Sequence, residues 1–205
     1  MPDPFPLATI GYEGATLDAV VEALRQAGVR TLVDVRAVAR SPRPGFARSR
    51  LAAGMAEAGI GYVHLRGLGT PADGRAASKA GDHAGMQRVF REHLATPEAQ
   101  TDLHALADRI GAGERVALLC FEADAAHCHR RLVADALGRL LPLAAVDLAP
   151  VAGQGASPAS PASARSKLRV SSMMRSKSRR RASAGSGPAL ASAALRCTSA
   201  SRRGA

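Results

Sequence analysis

The sequence predicts an α/β fold, a Rossmann-like three-layer sandwich with a mainly parallel sheet of about five strands. Short runs of apolar and β-branched residues alternate with runs of helical period from residue 7 to residue 148. This alternation is typical of βα units, whose right-handed crossovers place helices on both faces of the sheet. Charge separates this domain from the remainder of the chain. Residues 1–150 carry 17 basic and 17 acidic side chains, whereas residues 151–205 carry 11 basic and no acidic ones.

Five short runs predict the strands of the sheet. They comprise residues 7–10, 31–36, 60–65, 115–120 and 143–148. The fourth run holds consecutive apolar residues at 116–119, which is typical of a strand that is buried on both faces. The glycine pattern of dinucleotide-binding folds does not follow the first run, and no P-loop motif occurs. Neither of these two nucleotide-binding classes is therefore predicted.

Runs of helical period between the strands predict five helices. The first two end at Gly28 and Gly59, and the others lie around residues 83–95, 97–110 and 125–137. Pro97 opens one of these helices at a position that favours proline. The two-proline segment 41–46 and the glycine-rich segment 66–82 are predicted to be irregular.

Residues 151–205 have a different composition, dominated by Ala, Ser, Arg, Gly and Pro without apolar periodicity. Such a segment cannot bury enough apolar area to offset its chain entropy, so we predict a disordered basic tail. Three interpretations stay open: a non-functional extension, a solvated tail, or a nucleic-acid-binding arm around residues 175–181. Because that arm has no aromatic side chains to stack on bases, it would bind nucleic acid through phosphate attraction alone.

Composition also limits where the protein is expected to work. Three cysteines, one of them in the tail, do not make a disulfide framework, so Cys120 and Cys128 are predicted to be thiols in a reducing cytoplasm. Residues 1–6 lack the basic-then-apolar pattern of a signal peptide. No apolar run reaches the roughly 18 residues that a membrane helix needs. We therefore expect a cytoplasmic protein without a membrane partner.

Side chains suited to catalysis and anion binding follow the strands at their carboxyl ends, where open α/β sheets bind ligands. In chain order they are Tyr12, Glu13, Asp34, Arg36, Arg40, Ser41, His64, Cys120 and Glu122. Asp34 and Arg36 are two residues apart and share a face of their strand, where they could act on substrate or form an ion pair that holds the loop. This concentration of polar groups predicts an active site at one edge of the sheet.

The start of the last helix adds Cys128, His129 and Arg130 to these candidates. Asp124 is predicted to cap the helix, which would place Cys128 near the first turn, where the helix dipole favours a thiolate. His129 falls within the apolar stripe of the helix and should point towards the sheet. Arg130 lies beside that stripe and could reach over the site.

Two chemistries fit these residues and a third does not. A nucleophilic pair could combine Cys120 or Cys128 with a histidine, either His129 or His64. Alternatively, both cysteines and His129 could bind a zinc ion, with His64 as the fourth ligand, although no Cys-x-x-Cys spacing is present. A cysteine phosphatase loop needs an arginine about six residues after the cysteine to surround a phosphate. Alanine occupies that position after both cysteines, which excludes this class.

Several motifs occur in order along the domain, at residues 9–14, 32–36, 41–46, 62–65, 68–69, 119–122 and 128–130. Together they resemble the bacterial and archaeal domain of unknown function 488 family over about residues 7–148. The resemblance implies a Rossmann-like α/β domain, leaves the tail outside the family pattern and implies no particular reaction. Its signature positions are Asp34, Arg36, Cys120, Glu122, Cys128, His129 and Arg130.

The chain also resembles rhodanese-type sulfurtransferases. These enzymes pair a Leu-x-Asp-Val-Arg strand, here residues 32–36, with a later apolar strand that ends in Cys, here Cys120. This second resemblance implies sulfur transfer. Cys120 departs from the rhodanese pattern in lacking a short loop that closes on an arginine.

We therefore expect an enzyme, a cysteine-dependent transferase or hydrolase, that acts on a small anionic substrate such as a phosphate-bearing compound, a nucleotide or a nucleic-acid end. The predicted substrate-binding residues are Tyr12, Glu13, Arg36, Arg40, Ser41, His64 and Arg130, and the predicted reacting residues are Cys120, Glu122, Cys128, His129 and Asp34. The arginines suit phosphate geometry, either cysteine would be nucleophile or redox centre, and the other reacting groups would move or position protons. No cofactor is expected, and a zinc ion is kept as the alternative. The alternatives are a non-catalytic ligand- or zinc-binding module, sulfur transfer, and nucleic-acid binding through the tail.

Overall fold

Five parallel strands pair in one sheet in the computed structural model, which describes residues 3–151. The strands are β1 (Phe5–Gly11), β2 (Thr31–Asp34), β3 (Gly61–His64), β4 (Val116–Cys120) and β5 (Leu143–Leu148). Their order across the sheet is β3-β2-β4-β1-β5, with every neighbouring pair parallel. The predicted α/β class is confirmed, and each strand lies within about two residues of its predicted place.

Helices cover both faces of this sheet. Between residues 3 and 151 they are α1 (Leu17–Gln26), α2 (Arg48–Glu57), α3 (Ala72–Lys79), α4 (His83–Leu94), α5 (Pro97–Gly111) and α6 (His129–Leu137). Apolar residues of α1 and α2 pack on one face, and those of α4, α5 and α6 pack on the other. Successive strand residues alternate between these two cores, as Leu32 and Val33 do in β2. This alternation produces the three layers.

Local signals set the ends of the helices. The Thr16 side chain accepts a hydrogen bond from the Ala19 N–H at the start of α1, and Gly28 follows its end with a φ of 65°. Gly59, with a φ of 72°, follows α2 in the same way. Pro97 is the first residue of α5. The predicted helix stops and the proline start are therefore confirmed.

The prediction of irregular structure over residues 66–82 is wrong, because residues 72–79 form α3. Pro71 precedes this helix with an extended backbone, and Gly74 lies inside it. A Cβ at Gly74 would lie 2.7 Å from the Thr70 side chain and 3.4 Å from that of Val89. Gly74 is therefore a packing residue, and tertiary packing against α4 outweighs the low helix propensity of glycine.

The last helix begins at His129, later than the predicted residue 125. The Asp124 carboxylate accepts a hydrogen bond from the Ala126 N–H at 2.8 Å and caps a short 3-10 turn, Ala125–His127, instead of the α-helix. Cys128 is extended, with φ −116° and ψ 143°, and is the N-cap residue of α6. This extended residue interrupts the predicted helix and places the Cys128 thiol at the true helix start.

Two further predictions concern the chain as a whole. The predicted tail and its proposed nucleic-acid arm lie almost entirely in residues 152–205, outside the described residues. The division of the chain at residue 150 therefore stays a prediction. Among the helices between residues 3 and 151, none combines the length and the hydropathy that a membrane crossing requires.

Glu114 connects the start of β2 with the end of α5. The Thr31 hydroxyl donates a hydrogen bond to its carboxylate, and Arg109 Nη1 lies 3.0 Å from Oε2. The Thr31 hydrogen bond, together with Arg109, lowers the pKa of Glu114, although partial burial opposes this shift. A lowered pKa contributes stability above the unfolded-state value of about 4.3, and that stability is lost as the pH falls through the folded-state value.

Glu114→Gln is therefore expected to lower the free energy of unfolding at pH 7 by up to about 1 kcal/mol. The difference from the parent protein should shrink as the pH falls below about 4, because the parent carboxylate then becomes protonated. Urea unfolding at a series of pH values measures this difference. An equal loss of stability at every pH would contradict the electrostatic origin.

Candidate functional site

Two thiols, one imidazole and one carboxylate meet at the carboxyl end of β4. We call Cys120, Glu122, Cys128 and His129 the thiol cluster. Cys120 ends β4, and Cys128 and His129 are the N-cap and first residue of α6. Both sulfur atoms lie 3.0 Å from the same oxygen, Oε2 of Glu122. His129 Nδ1 lies 3.6 Å from Cys120 Sγ and 3.9 Å from Cys128 Sγ.

The ring of His129 is held in one orientation. Its Nε2 lies 2.8 Å from the carbonyl oxygen of Val35, and its ring packs 5.1 Å from the ring of Phe90. Because a carbonyl oxygen can only accept a hydrogen bond, Nε2 carries the hydrogen and donates it. Nδ1 is therefore the atom that faces the two thiols. The contact with the Val35 carbonyl requires the His129 side chain to point towards the sheet, which is its predicted direction.

A buried ion pair holds the chain on both sides of Val35. Arg36 Nη2 lies 2.6 Å from Oδ2 of Asp34, and Arg36 Nε donates to Oδ1 at 2.8 Å. Tyr62 donates its hydroxyl hydrogen to the same Asp34 carboxylate at 2.7 Å, and burial followed by this hydrogen bond raises the pKa of Tyr62. Arg36 Nη1 contacts the Tyr12 hydroxyl at 2.8 Å. The sequence left two roles open for Asp34 and Arg36, namely action on substrate or an ion pair that holds the loop. This geometry shows the ion pair.

Arg130 fixes the loop that carries Glu122. Its side chain is only 1% exposed. Its guanidinium donates to the backbone carbonyls of Glu122 and Ala123, and its Nε donates to the Thr9 hydroxyl at 3.0 Å. These contacts with protein acceptors tie Arg130 to β1 and to the loop that carries Glu122.

The thiol cluster favours one distribution of protons. Burial alone would raise the pKa of Cys128, but hydrogen bonds from Cys120 and His129 lower it well below the ordinary cysteine value. The hydrogen bond to Cys128, followed by burial, raises the pKa of Cys120 well above that value. Burial and the neighbouring Cys128 charge raise the pKa of Glu122. These opposite directions favour a thiolate at Cys128 over one at Cys120.

His129 completes this distribution. Burial alone would lower its pKa, but the hydrogen bond and charge of Cys128 outweigh burial and raise it. An imidazolium and a thiolate in contact stabilise each other because each neutralises the other within a buried site.

A cleft of about 490 Å³ opens above the thiol cluster, and we call it the α3 cleft. It is lined by Glu13, Thr70, Arg75, Ser78, Lys79, His83, Met86, Phe121, Glu122, Asp124, His127 and His129. Arg75 and Lys79 are one helical turn apart on α3, so their side chains share a face. Phe121, which is 40% exposed, offers an aromatic ring to the cleft.

Sequence reasoning missed the basic wall of the α3 cleft because residues 66–82 were predicted to be irregular. In a loop, Arg75 and Lys79 have no defined spatial relation. Their spacing of four residues was the signal that could have found them.

The structure brings some of the predicted site residues together and separates others. Glu13 lines the α3 cleft and accepts a hydrogen bond from the Ala123 N–H at 3.1 Å. His64 Nε2 contacts the Arg36 carbonyl at 2.8 Å, and His64 does not belong to the group of close donor atoms formed by Cys120, Cys128 and His129.

Three other predicted residues also lie outside the α3 cleft. Tyr12 is buried, with its ring stacked on Phe46 at 4.2 Å. Arg40 lines a separate open groove beside α2, and the Ser41 hydroxyl accepts a hydrogen bond from the Arg43 N–H at 3.2 Å. The predicted set therefore divides into the thiol cluster, the Asp34–Arg36 ion pair that supports it, and residues of the surrounding strands, loops and α6.

The donor atoms of the thiol cluster are compatible with a bound metal. One sulfur from each cysteine and one nitrogen of His129 lie within 4.8 Å of one another, and all three residues are buried. Thiolate and imidazole are donors that soft and borderline metal ions prefer.

Comparison with known proteins gives one match. The chain matches the family described as Domain of unknown function DUF488 over residues 16–137. This range contains every member of the thiol cluster, the Asp34–Arg36 ion pair and α3. No curated protein and no solved structure matches the chain.

Proposed function

The chain belongs to the family Domain of unknown function DUF488, and we propose that it is an enzyme that acts on a small anionic substrate in the α3 cleft. One observation carries this proposal: the carboxylate of Glu122 lines the cleft and contacts both buried thiols through a single oxygen. A substrate in the cleft would therefore meet a group that is in direct contact with the buried sulfur atoms.

The walls of the α3 cleft support an anionic substrate of modest size. Arg75 and Lys79 offer a guanidinium and an ammonium from one face of α3. Such a pair suits a phosphate or carboxylate group. The volume of about 490 Å³ falls within the range of small-molecule sites. Phe121 could contact a planar ring, so a phosphate-bearing compound such as a nucleotide or a nucleic-acid end fits the proposal.

The reacting groups of this enzyme would be the members of the thiol cluster. Glu122 would move a proton between the substrate and the sulfur atoms, since its carboxylate contacts both sulfur atoms and lines the cleft. In the metal-free cluster, His129 would hold or release a proton at Nδ1 while its Nε2 keeps the hydrogen bond to Val35. Asp34 and Arg130 would be positioning residues, because neither lines the α3 cleft.

The thiol and imidazole groups of the cluster also support a proposal for the cofactor and for the cellular location. A soft or borderline divalent metal ion such as zinc suits the thiol and imidazole atoms of the cluster. Both cysteines are free thiols in the structure. We place the enzyme in the cytoplasm, where reducing conditions keep such thiols available.

The first experiment measures binding and turnover across phosphorylated and carboxylated small molecules, using thermal shift and product detection. Arg75→Met and Lys79→Met are expected to weaken binding of each active compound by about tenfold or more, because each removes a charge-assisted contact. Arg88→Met, which changes an exposed cation of α4 outside the cleft, is the matched control and should leave binding unchanged.

Catalysis is tested separately with Glu122→Gln, which keeps the size of the side chain and removes its titration. We expect turnover to fall by about 100-fold or more while binding persists. Binding without turnover in the parent protein would support the non-catalytic module instead. Equal turnover in the parent and in Glu122→Gln would overturn the assigned role of Glu122.

A further inference from the structure

We infer that Cys120, Cys128 and His129 bind a zinc ion, and that Glu122 supplies an exchangeable fourth ligand on the side of the α3 cleft. The inference concerns the thiol cluster but does not depend on the proposed substrate, because metal binding is measured without one.

The two sulfur–nitrogen distances of the cluster fit a tetrahedral site. Zinc binds sulfur at about 2.3 Å and imidazole nitrogen at about 2.0–2.1 Å, so a tetrahedron places sulfur and nitrogen about 3.6 Å apart. His129 Nδ1 lies 3.6 Å from Cys120 Sγ and 3.9 Å from Cys128 Sγ. Both sulfur–nitrogen distances are therefore already close to the distance expected for two ligand atoms bound to the same zinc ion.

The orientation of His129 is the second argument. Histidines that bind metals usually donate their other ring N–H to a carbonyl or carboxylate, which fixes the tautomer and the ring plane. Nε2 of His129 is 2.8 Å from the Val35 carbonyl, and that carbonyl lies between the two paired residues Asp34 and Arg36. The ring is thus held with Nδ1 directed at both sulfur atoms before any metal arrives.

Glu122 distinguishes this site from a closed structural one. Its Oε2 lies 3.0 Å from both sulfur atoms, whereas a tetrahedral site with oxygen at about 2.0 Å requires about 3.5 Å. Zinc binding would therefore push the carboxylate outwards, and Glu122 lines the α3 cleft on that side. A ligand that can withdraw into the cleft leaves a coordination position for water or substrate, as catalytic zinc sites do.

Charge and proton balance are consistent with this site. Two thiolates neutralise a divalent ion and a neutral imidazole adds no charge, so the complex carries one negative charge when the Glu122 carboxylate is bound and none when water takes its place. The Nδ1 hydrogen and the remaining thiol hydrogen leave to solvent as the ion enters, so zinc uptake releases protons. The zinc ion thus takes the place of the hydrogens that lie between the sulfur atoms and His129 Nδ1 in the thiol cluster.

The test uses the full chain, purified under reducing conditions and analysed for metals by mass spectrometry. We expect about one zinc ion per chain, either as purified or after exposure to excess zinc and gel filtration. A titration of the metal-free protein with cobalt(II) should give sulfur-to-cobalt charge-transfer absorption and the intense visible bands of tetrahedral cobalt. Proton release measured in weakly buffered solution should accompany zinc binding.

Substitutions then identify the ligands. Cys120→Ser and Cys128→Ser should each weaken zinc binding by more than the roughly 10- to 100-fold that loss of an outer-shell partner causes. Cys197→Ser, a cysteine outside residues 3–151, is the matched control and should keep full zinc affinity. Glu122→Gln should retain the metal and shift the visible cobalt bands, because only the fourth ligand changes.

The parent protein alone can overturn the inference, so it does not depend on whether a variant folds. Absence of zinc after reconstitution, together with cobalt(II) that gives no thiolate absorption, would eliminate the zinc site. A metal-free protein with one fast-reacting thiol would instead favour a thiolate nucleophile. Zinc binding with no ligand found for the α3 cleft would leave the metal site standing and remove the proposed substrate.

Discussion

Replacing Asp34 with alanine is expected to lower the free energy of unfolding by about 3–5 kcal/mol, a large part of the roughly 5–15 kcal/mol of a typical domain. The substitution removes the carboxylate that pairs with Arg36 and accepts the Tyr62 hydroxyl hydrogen. Asp34 is fully buried and Arg36 nearly so, so water cannot replace the missing partner. A buried charge without its partner destabilises far more than the intact pair stabilises.

Urea unfolding measures this loss as a lower midpoint with an unchanged slope. Asp135→Ala is the matched control, because it breaks the exposed pair of Arg131 and Asp135 on α6 and should cost less than about 1 kcal/mol. Similar losses in the two variants would refute the importance of burial.

Asp34→Asn extends the test from stability to the thiol cluster. It keeps an acceptor for Tyr62 and should lose less stability than Asp34→Ala, so the folded variant can be assayed. Zinc affinity should nevertheless fall by about 10- to 100-fold, because the weakened pair no longer fixes the Val35 carbonyl that orients His129.

Gly11→Ala is the second substitution expected to have a large effect. A Cβ at this position would lie 1.9 Å from the carbonyl oxygen of Glu122 and 2.9 Å from the Cα of Ala123. Both neighbours are backbone atoms, so a rotamer change cannot relieve the overlap. The loop must move away from β1, and the hydrogen bonds from Arg130 to the carbonyls of residues 122 and 123 must break or stretch. We expect a loss of about 3 kcal/mol or more.

Gly111→Ala provides the comparison for this substitution. A Cβ at Gly111, the last residue of α5, would meet no atom closer than 4.0 Å. That variant should be neutral or slightly more stable, because alanine favours a helix over glycine by about 1 kcal/mol. Thermal unfolding of both variants measures the difference. If Gly11→Ala and the parent protein unfold at the same temperature, the close approach of the loop to β1 does not contribute to stability.

Apolar periodicity and the positions of glycine and proline were sufficient to predict most of the fold. The short β-branched run at residues 31–36 and the apolar run at 116–119 located two central strands, and the glycines after α1 and α2 located two helix ends. α3 could not be found in this way, since Gly74 has the low intrinsic propensity of glycine, and its fit against Thr70 depends on a tertiary contact.

The thiol cluster was predictable in part for a geometric reason. Cys120 ends a buried strand and His129 lies on the apolar stripe of a helix, so topology alone brings them near each other. The acceptors of Arg130 were not predictable, because backbone carbonyls leave no residue-specific signal in a sequence. The same holds for Val35, whose contribution to the site is its carbonyl oxygen.

The loop between β4 and α6 has consequences for how the ligand preference of the α3 cleft can be changed. Its path is fixed by main-chain groups: Arg130 binds the carbonyls of residues 122 and 123, and Glu13 binds the N–H of Ala123. The side chains of Phe121, Asp124 and His127 meanwhile face the α3 cleft. Substitutions at those three positions can therefore alter which molecules fit while the sulfur and nitrogen donors keep their places. The loop thus separates the side chains that line the α3 cleft from the contacts that hold the thiol cluster, and a library randomised at these three positions would test whether the two can be changed independently.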